Sequence, residues 1–340
     1  MQKRLGAQTV RFQSPVSFLA TASVAGQKEA QGPLSKYFDV IMENAEWGEE
    51  TWEKTESKMQ KHALMRAVEK SGIDVKDINY LFAGDLLNQC ISSTFGLMDF
   101  GIPFMGVYGA CSTMAETIGL SAMAIDGGFA NISAAVTSSH FCTAERQYRN
   151  PLEYGGQRTP TAQWTVTGSG AAILSGTGQG PFVTHFTSGR IVDFGVSDAN
   201  NMGAAMAPAA ADTLSAHFRE TGRNPDFYDL ILSGDLGMVG KAALIDLMYE
   251  KGYMISKNYD DCGCMIFDIE KQDVHAGGSG CGCLASTFCG YVMDMIKMGE
   301  IKNILIMGTG ALLSQTSSLQ GETIPSVAHV VAISTERNRL

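Results

Sequence analysis

The sequence predicts an α/β protein of two pseudo-symmetric halves, each a mixed sheet covered by helices. Three observations predict it. Helical stretches alternate with short, strand-length apolar runs along the whole chain. One order of elements (helix, glycine stop, apolar run, Gly-Asp) occurs twice, with Asp85 and Asp235 standing 150 residues apart at equivalent points. The 38 glycines, set against nine prolines, supply the tight turns that such alternation requires. A doubling of about half the chain per copy is therefore the organising feature.

In the first half, Met59, Ala63 and Ala67, with Leu64 and Val68, recur at helical spacing from Trp52 to Ser71, where Ser71-Gly72 supplies a stop. Ile78 to Ala83 is a short apolar run that ends at Gly84-Asp85, which predicts a buried strand. Ile102 to Tyr108 then leads into Gly109-Ala110-Cys111, and Met114, Ile118, Ala122 and Ile125 form the next helical stripe. Asn131 to Ser138 is a second predicted strand.

The second half repeats this with a helix over Ala209 to Thr221, a break at Gly222, and the run Asp229 to Ser233 entering Gly234-Asp235-Leu236. Cys264 to Phe267 predicts a strand, and Leu284, Phe288, Val292 and Met295 a helix before Ile301 to Met307. Gly128 and Gly299 fall at equivalent helix-to-strand turns. The Gly, Pro, Asn and Ala-rich connection from Thr177 to Ala209 marks the division, placed as 1–190 and 191–340, with a loop insertion at 143–165.

A net charge of −10, with no basic stripe, argues against a nucleic-acid partner. The most apolar stretches, such as Ile301 to Leu313, are short and broken by glycine, so no membrane-spanning segment is expected. Lys3 and Arg4 before Val16 to Gly26 imitate a signal peptide, but Arg11, Gln13 and the Ser/Thr content oppose that reading. Eight cysteines in 340 residues are too few for a disulfide scaffold. Cys262-Gly263-Cys264 and Cys281-Gly282-Cys283 lack the usual Cys-x-x-Cys spacing of zinc sites, and no metal site is expected there.

Cys111 is the chemically suggestive residue. It stands where a strand gives way to a helix, and a helix N-terminus favours a thiolate or a bound anion. The Gly-Ala-Cys-Ser elbow within a doubled chain resembles the thiolase superfamily, which includes the ketoacyl synthase III condensing enzymes. Thr167 to Leu174 is similar to the strand that closes their first half. Val274 to Gly280 resembles their histidine or asparagine loop, and Gly308-Thr309-Gly310 their glycine-rich oxyanion turn. The resemblance implies five strands in each sheet, αβαβα layering, pairing as a homodimer, and Cys111 as candidate nucleophile of a condensing or acyl-transfer enzyme.

Two departures weigh against that activity. Gly234-Asp235-Leu236-Gly237 replaces the His-Gln-Ala-Asn segment, and the late Met307 to Ala311 turn has no thiol.

At closer range the chain resembles the stage V sporulation protein AD family of spore-forming Firmicutes. The likeness rests on Thr21 to Gly26, Ala83 to Leu86, Gly109 to Glu116 and above all Thr137-Ser138-Ser139-His140-Phe141 continuing to Gln157. It implies binding of dipicolinic acid (pyridine-2,6-dicarboxylate), alone or with calcium, and support of its uptake into the forming spore. SpoVA membrane proteins at the spore inner membrane are the implied partners, with this chain peripheral to the membrane.

A planar dianion needs local donors. The Cys111 helix and its counterpart starting near Gly280 are expected to aim free N–H groups at one cavity. His140 and His275 are expected to face the same space, and Ser138, Ser139 and Thr309 to offer hydroxyls. Asp85 and Asp235 end equivalent strands; each either caps a helix or, beside a dianion, requires a cation such as calcium between them. Arg146, Arg149 and Arg158 fall in the segment after His140, where they either draw an anion inward or sit on a solvated loop.

Overall fold

The imitation signal peptide folds as the C-terminal part of β1 (Thr9–Ala25), a 17-residue strand, in a computed structural model that describes residues 2–148 and 158–337. In chain order there follow β2 (Val40–Ile41), α1 (Trp52–Ser71), β3 (Tyr80–Gly84), α2 (Ile91–Leu97), β4 (Phe104–Gly106), α3 (Thr113–Asp126), β5 (Ile132–Ser139) and α4 (Phe141–Tyr148). The chain continues through β6 (Trp164–Thr165), β7 (Gly168–Ser175), β8 (Phe182–Thr187), α5 (Met202–Thr221), β9 (Leu230–Ser233), α6 (Gly237–Glu250) and β10 (Tyr259–Asp261). It closes with α7 (Cys262–Met265), β11 (Gly278–Ser279), α8 (Cys281–Thr287), α9 (Met293–Lys297), β12 (Asn303–Ala311), α10 (Gln315–Leu319) and β13 (Ser326–Ser334).

Among the described residues the main sheet runs β10-β9-β12-β13-β8-β1-β7-β5-β3-β4. At its centre β1 and β8 pair antiparallel, with Thr9 opposite Thr187. Moving outward, β7 matches β13, β5 matches β12, β3 matches β9 and β4 matches β10. Both arms are antiparallel near the centre and parallel at the rim. The order is thus a palindrome of two mixed, five-stranded halves. By strand order β8 opens the second half, ahead of residue 190.

The layers follow from which helices touch which strands. The central helix α3 packs on β3 and β5 of the first half, on β12 and β13 of the second, and on α8. Outside, α1 and α2 cover the first sheet, and α5 and α6 the second.

Local chemistry repeats as well. Both α1 and α5 have 20 residues and end at a left-handed glycine, Gly72 and Gly222, with φ of 70° and 68°. Glycine enters that region without a Cβ penalty, which is why the helices stop there. The buried face of α1 (Met59, Ala63, Leu64, Ala67) packs with Val136, Ala171 and Ile173 of the sheet. Burying a side chain such as Met59 or Leu64 stabilises the fold by about 1.5–3 kcal/mol.

Three local expectations are corrected. Cys264 to Phe267 is not a strand; the strand is Tyr259–Asp261, and Cys262–Met265 is a helical turn. A four-residue apolar run has no period to tell the two apart. Gly308-Thr309-Gly310 is the end of strand β12 rather than a turn. The segment after His140 begins as helix α4, because Phe141, Ala144 and Tyr148 share one face; residues 149–157, Arg149 among them, lie outside the described residues.

Candidate functional site

The elbow is built from short polar side chains. Ala110 holds φ of 50°, an unusual value for a residue with a Cβ. Ser112 Oγ donates to the Gly109 carbonyl across 2.7 Å, and Thr113 Oγ1 donates to the Ala110 carbonyl across 2.7 Å. These bonds fix the turn that presents Cys111. Strand β12 presses against it from the other half: a Cβ at Gly310 would lie 2.2 Å from the Gly109 carbonyl oxygen.

Asp235 closes the other side. Its Oδ1 accepts from Thr309 Oγ1 across 2.8 Å, and its Oδ2 from the Gly280 N–H across 2.8 Å and Ser279 Oγ across 3.3 Å. Cys111 is in hydrogen-bond reach of the same carboxyl. Burial pushes the Asp235 carboxyl up to about 7. Burial first, then the Asp235 charge, holds the Cys111 thiol well above its ordinary value. The arrangement keeps the sulfur protonated, the reverse of what a nucleophile needs.

The two aspartates part company. Asp85 accepts from the Leu87 N–H (2.9 Å) and from Ser93 N–H (2.8 Å) and so caps its own α2. In the second half Asp261 takes that work, accepting from Leu236 and Gly237 N–H across 2.8 and 2.9 Å. Asp235 is thereby released to face Cys111. Asp85 instead lies near Glu56, whose carboxyl is pushed up to about 8 by burial and then by the Asp85 charge.

Several expected ligand contacts are corrected. His140 is buried with Nε2 on the Ala45 carbonyl (2.9 Å) and Nδ1 accepting from the Cys142 N–H (3.1 Å), so both ring nitrogens serve the backbone. His275 is half-buried, 3.4 Å from Asp273, and neither histidine lines the cavity. Ser138 donates to Glu56 (2.9 Å), and Ser139 donates to the Val166 carbonyl (2.7 Å) while accepting the Gly282 N–H (3.0 Å). The start of α8 is thus capped from within the protein by Asp235 and Ser139, not left open for a ligand. Side chains whose bonds are made inside the core follow hydrogen-bond geometry that spacing alone does not reveal.

A cavity of about 320 Å³ opens beside Cys111, at the small end of the range for small-molecule sites. Leu86, Ala144, Tyr148, Met202, Met206 and Leu313 give it apolar walls; Gln163, Thr165, Asn200 and Ser279 add polar groups, and Glu145 a carboxyl. Glu145 pairs with Arg158 across 2.8 Å, and Arg146 pairs with Glu53. Glu145, Gln163 and Ser279 were not among the residues the sequence singled out for the site, because no spacing or motif marks them as cavity residues. Among the described residues no three His, Cys, Asp or Glu side chains gather as a metal-binding group. Nor is any described helix long and apolar enough to cross a membrane.

Comparison with known proteins agrees with this architecture. The family described as Stage V sporulation protein AD (SpoVAD) matches residues 6–334. The Stage V sporulation protein AD of Bacillus subtilis (strain 168) is 43% identical over 329 residues, 97% of each chain. The fold is shared at far lower identity with 3-oxoacyl-[acyl-carrier-protein] synthase III from Aquifex aeolicus VF5. That match has a TM-score of 0.58 and 11% identity, covering 94% of this chain and 99% of the other. Cerulenin-bound OleA of Xanthomonas campestris gives a TM-score of 0.61 at 13% identity, covering 95% and 100%. With its doubled thiolase-like sheet, its Cys111 elbow and a match along nearly its whole length, the chain belongs to the stage V sporulation protein AD family.

Proposed function

We propose that the protein binds dipicolinate in the cavity beside Cys111 and, without carrying out chemistry on it, supports its uptake into the forming spore together with SpoVA membrane partners. The observation that carries this reading is the pairing of an open cavity with a disarmed cysteine. Cys111 faces Asp235, a buried carboxyl that disfavours a thiolate, where a condensing enzyme needs a base or an imidazole. A pocket with apolar walls and few polar groups suits a flat aromatic acid. Calcium belongs to this reading as cargo, since it prefers oxygen donors and dipicolinate chelates it.

The test is titration calorimetry with dipicolinate, with and without calcium, alongside intact mass measurement after incubation with acetyl- and longer acyl-CoA. Saturable heat and no mass added at Cys111 is the expected result. Acyl labelling that turns over would replace this reading with acyl transfer, and no heat under either condition would remove dipicolinate as the ligand.

A further inference from the structure

Most polar groups on the cavity wall are already spent inside the protein. Gln163 Nε2 donates to the backbone carbonyls of Asp235 (2.8 Å) and Gly278 (2.6 Å), Ser279 Oγ donates to the Asp235 carboxyl (3.3 Å), and Tyr148 donates its phenol proton to the Leu86 carbonyl (2.5 Å). The Cys111 thiol is in reach of Asp235, and Glu145 is an acceptor. No lysine, arginine or histidine is among the described lining residues. A carboxylate that leaves water for this cavity must recover its hydrogen bonds there, and a donor that is already bonded gives one only by breaking another.

Two lining side chains are uncommitted. Among the described residues, the Asn200 amide and the Thr165 hydroxyl have no hydrogen-bond partner, while the backbone of each is held. The Asn200 N–H donates to Asp198 Oδ1 (2.9 Å), and its carbonyl accepts from Thr161 Oγ1 (3.0 Å). The next residue, Asn201, caps α5 by accepting the Ala204 N–H (3.3 Å). Thr165 lies in β6, opposite Ser279 of β11. Its methyl stands 3.2 Å from the place a Cβ would take at Gly280, and a β-branched side chain packed on one branch holds the other in a fixed direction. From Thr161, which touches Asn200, to Thr165 the chain spans at most about 14 Å. The amide and the hydroxyl thus stand at separate points of one wall, as a ligand with two carboxylates requires.

We infer that Asn200 and Thr165 read the two carboxylates of the ligand, through hydrogen bonds from neutral donors in place of a cation. The inference rests on the dipicolinate reading and names its contacts. Because neither side chain bonds to the rest of the protein, affinity and stability separate at these two positions.

Calorimetry with dipicolinate, with and without calcium, on the wild-type protein, Asn200→Ala, Thr165→Val and Thr165→Ser tests it, with Tm measured on each. Thr165→Val keeps the shape and deletes the hydroxyl, whereas Thr165→Ser keeps the hydroxyl. Weakening on the order of tenfold is expected for Asn200→Ala and for Thr165→Val, with wild-type affinity in Thr165→Ser and an unchanged Tm throughout. Asn200→Ala or Thr165→Val binding as tightly as the wild type, Thr165→Ser binding as weakly as Thr165→Val, or a weakening matched by a fall in Tm overturns this inference and leaves the dipicolinate reading standing. No binding by the wild-type protein under either condition overturns both.

Discussion

Thr309 donates its hydroxyl to Asp235 across 2.8 Å, and both residues are fully buried. The bond joins the end of β12 to the turn after β9 and holds the Asp235 carboxyl toward Cys111. Thr309→Val keeps the shape and deletes the donor, leaving a buried carboxyl oxygen short of a partner. We expect a loss of about 1–3 kcal/mol in urea unfolding. A variant as stable as the wild type would show that the bond contributes nothing net.

Asp235→Asn removes a charge that pushes the Cys111 thiol up, though burial, the larger cause, remains. Iodoacetamide labelling of Cys111 at mildly alkaline pH, followed by peptide mass mapping, should become faster by roughly threefold or more. Unchanged labelling would mean that access, not the carboxyl, governs the sulfur.

These buried groups should make the protein most stable between about pH 4.5 and 6.5, with stability lost on both sides. Burial holds His217 down to about 3 and His329 down to about 4, against 6.5 when unfolded. The unfolded chain therefore binds protons that the folded one refuses, so this stability is present above pH 6.5 and drains away toward pH 3–4. Glu56 and Glu29 behave oppositely, with folded values of about 8 and about 7 against 4.5. Their contribution is full below pH 4.5 and is lost progressively from pH 4.5 until it is gone above 7 to 8. Glu56→Gln should flatten the alkaline limb of a Tm-against-pH curve and leave the acid limb alone; an unaltered alkaline limb would clear Glu56 of the role.

Gly310→Ala should damage the elbow directly, because the added methyl would lie 2.2 Å from the Gly109 carbonyl. A loss of about 1–3 kcal/mol or more is expected for such overpacking. Gly72 is the contrast: nothing lies within 4 Å of an added Cβ, and only its φ of 70° resists. Gly72→Ala should therefore cost only about 1 kcal/mol. Equal effects on Tm would contradict the close approach at Gly310.

His140 and Ser139 serve the backbone, so their replacement should lower stability without touching ligand affinity. Ser139→Ala strands the Gly282 N–H and is expected to cost about 1–3 kcal/mol. A large drop in dipicolinate heat at an unchanged Tm, for either His140→Ala or Ser139→Ala, would return that residue to the binding site.

The doubled architecture was legible because it rests on periodicity and on glycine stops, which are local and repeat. Cys111 and Asp235 were each singled out by a glycine-marked turn after an apolar run, and it is the fold that brings them together. Ser138, Ser139 and His140 misled, since their position beside the elbow is right but their bonds point inward to Glu56, Val166 and Ala45. No one-dimensional pattern tells a hydroxyl turned to the core from one turned to a cavity. The release of Asp235 by Asp261 was equally hidden, because it depends on a residue 26 positions away in a neighbouring strand.

The central pairing of β1 with β8 also governs how this chain can be made. The first long strand to leave the ribosome is flanked in the finished sheet by β7 and β8, and β8 in turn leans on β13 at the far end of the sequence. Residues 9–25 consequently wait, apolar and unmated, until more than half of the polypeptide has been synthesised. Such long-range closure makes folding slow and invites sticking between nascent chains.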